Sequence, residues 1–85
     1  MPALKYLIEY IVVGVYMVIL TIDKYLNERK ITRYELAKRT EIKFQTIDRY
    51  YKNRVVRYDA YIIDKICKAL DCKPCDIIEY VPDEN

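Results

Sequence analysis

The sequence predicts an all-α domain of five short helices preceded by an apolar arm. Three observations predict it. Apolar residues from Ile22 onward recur three and four positions apart over short stretches, the spacing of one helix face. Those stretches open on helix-start residues, Thr32, Asp59 and Pro74, rather than on glycine-rich turns, and the whole chain holds one Gly. At 85 residues there is room for one small domain. Such a domain buries only about two-thirds of its unfolded surface, so support from a partner chain is expected.

The arm comes first. Residues 6–20 are almost wholly apolar, with Glu9 their one charge. The uncharged run from Tyr10 to Ile22 falls short of the about 20 residues a membrane span needs, and it lacks the basic leader and small-residue cleavage site of a signal peptide. Ile8, Ile11, Val12, Val13, Val15, Val18 and Ile19 are β-branched, which favours strand, and Gly14 would weaken a helix by about 1 kcal/mol. So apolar a segment would not stay solvated on a monomer. From about Tyr6 to Ile22 it is expected to be at least partly extended and to pair with a second copy. A helix lying against the partner's last helix is the alternative.

The first helix is read from Ile22 and Leu26, with Tyr25 beside them and charges filling the other positions through Lys30. Thr32-Arg33-Tyr34-Glu35 is a capping box, and Leu36 and Ala37 are the inward positions of the second helix, which ends near Thr40-Glu41. The third runs from about Lys43 to Lys52 with Ile47 and Tyr50 inward. Residues 53–58 are a connection. Asp59 caps a fourth helix whose core face is Ile63, Ile66, Cys67 and Leu70. Pro74 and Asp76 mark the start of a fifth, with Ile77, Ile78 and Val81 as its apolar face.

Charge separates the chain into three. Residues 24–57 hold eleven bases against four acids, a net +7, whereas residues 1–23 carry −1 and residues 58–85 carry −4. The net of +2 therefore hides a basic middle suited to a polyanion. No His is present, which excludes Ser-His-Asp and Cys-His catalysis and His-based metal sites. Cys72-Lys73-Pro74-Cys75 is a CxxC, but with Cys67 it supplies three ligands where zinc takes four. No cofactor and no enzymatic activity are expected. The unpaired count of three Cys fits a reducing cytoplasm.

The second and third helices are joined by only three or four residues around Glu41-Ile42-Lys43, so they must cross steeply, as in helix-turn-helix readers of DNA. Ala37 lies where they approach closest. Leu36–Asn53 (LAKRTEIKFQTIDRYYKN) resembles the helix-turn-helix of the Cro and phage-repressor type, called XRE-like, and Ile22–Thr40 and Ile63–Glu84 resemble its flanking parts. The family usually has Gly where this chain has Glu41, because the backbone at that turn position is left-handed, and Gly again where this chain has Cys75.

The resemblance implies a five-helix, lambda-repressor-like domain over 18–85, with 1–17 as an added arm. It also implies a transcriptional regulator, expected here to be a repressor, bound as a homodimer to palindromic double-stranded DNA. By the family pattern Lys43, Phe44, Gln45, Thr46 and Arg49 are the base contacts, and Arg33, Tyr34, Lys52, Asn53, Arg54 and Arg57 hold phosphates. Gln45 suits adenine, Arg49 guanine, and Phe44 a thymine methyl, a buried Phe44 being the alternative. The alternative is a protein-interaction module, an antitoxin or adaptor, on the same fold.

Overall fold

The computed structural model describes residues 18–81. They form β1 (Val18–Leu20), α1 (Ile22–Arg29), α2 (Arg33–Thr40), α3 (Phe44–Tyr51), α4 (Ala60–Leu70), a 3-10 turn at Pro74–Asp76, and β2 (Ile78–Tyr80). The four helices fall where the apolar spacing puts them. Ile22 and Leu26, Leu36, Ile47 and Tyr50, and Ile63, Ile66, Cys67 and Leu70 are all buried. With Leu20 and Ile77 they make one core, against which Tyr25, Ala37, Ile42 and Tyr58 pack as half-buried neighbours. No helix among the described residues is long and apolar enough to cross a membrane.

The fifth helix does not form, and the domain is not all-α. Pro74 starts a turn as expected, and the Asp76 carboxylate accepts from the Lys73 backbone N–H at 2.9 Å. The turn stops after three residues, because the Ile77 carbonyl accepts from the Thr21 N–H at 2.7 Å instead of from a following helical amide. Ile77 is drawn fully into the core. The chain then extends and pairs antiparallel with β1, in the register Val18 with Tyr80, Ile19 with Glu79 and Leu20 with Ile78. Helix-start signals report the first turn only, and the strand that captured the segment lies about 60 residues earlier.

Asn53 secures the other side of β1. Its amide oxygen accepts from the Leu20 N–H at 2.7 Å and its amide nitrogen donates to the Leu20 carbonyl at 2.6 Å. The Tyr58 hydroxyl donates to the Val18 carbonyl at 3.3 Å. The extended form expected for the arm therefore holds at residues 18–20, but these pair within the chain rather than with a second copy, and Ile22 already belongs to α1. The expectation for Tyr6 to Met17 lies outside the described residues.

Candidate nucleic-acid interface

The geometry of this surface begins with the join between α2 and α3. Thr32 caps α2, its hydroxyl accepting from the Glu35 N–H at 3.0 Å. The expected capping box forms only by half, because the Glu35 carboxylate turns forward to Arg39, 2.5 Å away, rather than back to the Thr32 N–H. At the far end Glu41 takes the left-handed conformation (φ 60°, ψ 27°) that the resemblance implied. For a residue with a Cβ this costs about 1 kcal/mol. Thr40, buried, holds the turn: its hydroxyl donates to the Leu36 carbonyl at 2.8 Å and accepts from the Ile42 N–H at 3.3 Å. Ile47 and Tyr50 then pin α3 to the core. The Tyr50 hydroxyl accepts from the Asp59 N–H at 2.9 Å, tying the end of α3 to the start of α4, where Asp59 caps as expected.

With Ile47 and Tyr50 inward, Gln45 and Arg49 stand exposed one turn apart on the other side of α3. Lys43 is exposed at the helix start and Thr46 is half-buried. Phe44 is half-buried too, because Tyr34 at the start of α2 stacks on it with ring centroids 4.4 Å apart and 20° between planes. Tyr34 itself is 74 % exposed, so the stacked pair presents an aromatic edge where the two helices begin.

Arg33 lies across the same junction. Its guanidinium pairs with the Asp48 carboxylate and sits 4.8 Å from the Tyr51 ring centroid and 5.9 Å from that of Phe44. Lys52 reaches the other Asp48 oxygen at 3.0 Å. Hydrogen bonds from Lys52 and then Arg33 outweigh the partial burial of Asp48 and hold its carboxyl below the ordinary range. Arg33, Tyr34, Phe44 and Lys52 thus belong to one cluster with Asp48 and Tyr51, two residues that the sequence analysis did not single out. The spacing of Asp48 and Lys52, four apart on a helix, is the one signal that pointed there. Nothing local marks Arg33 as the partner of Asp48.

Arg54 and Arg57 are exposed beyond α3, and neither they nor Lys43 and Arg49 form an ion pair among the described residues. Asn53, expected to hold a phosphate, is buried, left-handed (φ 58°) and turned inward with its amide committed to Leu20. Cys67 is buried, Cys72 partly buried and Cys75 exposed. Burial, reinforced by the neighbouring Cys67, pushes the Cys72 thiol up to about 11, and burial raises Cys67 as well. Both therefore stay protonated at neutral pH, which makes them poor nucleophiles.

The family of Cro/C1-type HTH DNA-binding domains matches residues 21–83. An uncharacterized HTH-type transcriptional regulator of Bacillus subtilis (strain 168), YozG, is 34 % identical over 68 residues, which are 80 % of this chain and 81 % of that protein. Among solved structures, that of a candidate DNA-binding protein from Bacteroides fragilis superposes with a TM-score of 0.65 at 24 % identity, over 74 % of this chain and 100 % of the other. At that identity the likeness concerns the fold.

Proposed function

This chain belongs to the Cro/C1-type helix-turn-helix family of DNA-binding transcriptional regulators, and we propose that it is a cytoplasmic repressor that binds a palindromic operator as a homodimer, with α3 in the major groove. The observation that carries this reading is the division of α3 into two sides. Ile47 and Tyr50 are locked into the core, and Gln45 and Arg49 project from the exposed side. Gln pairs with both major-groove groups of adenine and Arg with both of guanine, and each good pair discriminates by about 1–3 kcal/mol. Lys43 and Thr46 at the start of α3 are the further base contacts, and Phe44, held by Tyr34, offers a ring edge to a thymine methyl.

Tyr34, Arg54 and Arg57 are the proposed phosphate holders, joined by Arg33 and Lys52 when these leave Asp48. Asn53 contributes by fixing the backbone between Lys52 and Arg54. Two copies reading half-sites about 34 Å apart would account for a palindrome, and residues 6–17 are the proposed dimer contact.

The test is selection of bound sites from random duplex DNA with the full chain, followed by repetition with Gln45→Ala and Arg49→Ala combined. A palindromic consensus that disappears in the double variant is the expected result. A consensus unchanged by the double substitution would remove α3 from base reading. Enrichment of half-sites alone would remove the homodimer. No enrichment, together with a co-purifying protein partner, would favour an antitoxin or adaptor.

A further inference from the structure

We propose that Asp48 sets the sequence discrimination of this domain by withholding Arg33 and Lys52 from the DNA backbone. The proposal rests on the reading of α3 as the DNA-facing helix. Asp48 lies between Gln45 and Arg49 in the sequence of that helix, on a side that remains partly exposed. Its two oxygens serve two different cations, Arg33 from α2 and Lys52 one turn on along α3. Arg33 is further held against the rings of Tyr51 and Phe44. A carboxylate on a helix that meets a polyanion repels it, so its presence there calls for a compensating use.

Binding to arbitrary sequence is built almost entirely from phosphate contacts, each of which steepens the dependence of log affinity on log salt by about 0.9. A phosphate that binds Arg33 or Lys52 either displaces the Asp48 carboxylate or brings its own negative charge beside it. On arbitrary DNA nothing offsets that cost. On the operator the base contacts of Gln45 and Arg49 fix the register and offset it. The carboxylate thus weakens binding to all DNA but weakens the wrong sequences more. A structural helix-surface pair would have no such bias, because it would act on fold stability and leave the salt dependence alone.

The experiment compares the full-length protein with Asp48→Asn on two duplexes, one of random sequence and one carrying the selected consensus, between 50 and 200 mM salt. Asp48→Asn is expected to steepen the salt slope on random duplex by about 1–2 and to tighten that binding about tenfold at 50 mM salt. The ratio of consensus to random affinity should fall. Adding Arg33→Gln and Lys52→Gln to Asp48→Asn should return the slope to the wild-type value. Three results overturn the proposal: a random-duplex slope unchanged in Asp48→Asn; a wild-type slope that drops by about 2 when Arg33→Gln and Lys52→Gln are made with Asp48 present; or loss of consensus binding in Asp48→Asn, which would make Asp48 a base reader. A wild-type chain that binds neither duplex would overturn the reading of α3 and this proposal with it, whereas wild-type binding with an unmoved slope overturns the proposal alone.

Discussion

The α2–α3 pair and the β1–β2 pair are held by opposite means. In the first, each constraint is local or nearly so. Thr32 caps three residues ahead, Thr40 clasps a turn between Leu36 and Ile42, and Arg33 reaches Asp48 fifteen residues on. In the second, every constraint is remote. The strands pair residues 58 to 62 positions apart, and Asn53 grips Leu20 from 33 positions away. The local pair positions the groups proposed to meet DNA and tolerates exposed charge. The remote pair closes the domain and tolerates no unsatisfied backbone group, since Leu20 is 1 % exposed.

That contrast is broken most directly at Asn53. Asn53→Ala would leave the Leu20 N–H and carbonyl buried without partners and would place an alanine in the left-handed region. A loss of about 3 kcal/mol or more is expected from urea melts. Asn53→Gly keeps the backbone conformation and loses only the amide, so it should retain about 1 kcal/mol of the difference. A loss below about 1 kcal/mol for the alanine variant would show that β1 is held by its partner strand alone.

On the local side the expected effect is smaller and of opposite sign. Glu41→Gly removes the left-handed strain at the turn and should stabilise by about 1 kcal/mol. Glu41→Ala, which keeps a Cβ, should give no such gain. Equal urea midpoints for the two variants would show that the turn carries no strain to relieve.

The smallest effect sharpens the comparison through pH. The carboxyl of Asp48 lies below its ordinary value of 3.8 in the folded chain. Its contribution is therefore complete above that value and disappears as pH falls through the lower, folded one. The stability difference between wild type and Asp48→Asn should be flat above about pH 5 and should narrow in acid below about pH 4. A difference that stays constant down to acid unfolding would mean that Arg33 and Lys52 do not stabilise the ionised carboxyl.

The helical part was legible because its signals are short-ranged. Apolar residues three and four apart announced α1 to α4, and Thr32 and Asp59 cap where their position relative to those runs required. The family resemblance supplied the left-handed Glu41. The interface was legible only in part. Exposure of Gln45 and Arg49 follows from the helical period once Ile47 and Tyr50 are inward. The inward turn of Asn53 does not follow, because an Asn in a left-handed turn can face either water or a strand, and only the nearness of Leu20 settles which. The stack of Tyr34 on Phe44 and the seat of Arg33 over Tyr51 depend in the same way on how α2 crosses α3.

By itself, then, the sequence determined the four helices, the caps at Thr32 and Asp59, the buried faces and the tight turn between α2 and α3, since hydrogen bonds within about four residues and the helical period dictate these. Tertiary structure alone decided that the segment after Pro74 extends rather than coils. It also decided that Val18–Leu20 pairs within the chain, and that Asp48 stands between two cations. In each case the competing local conformation was adequate, and a partner remote in sequence but close in space, Thr21, β2 or Arg33, satisfied the backbone or the charge.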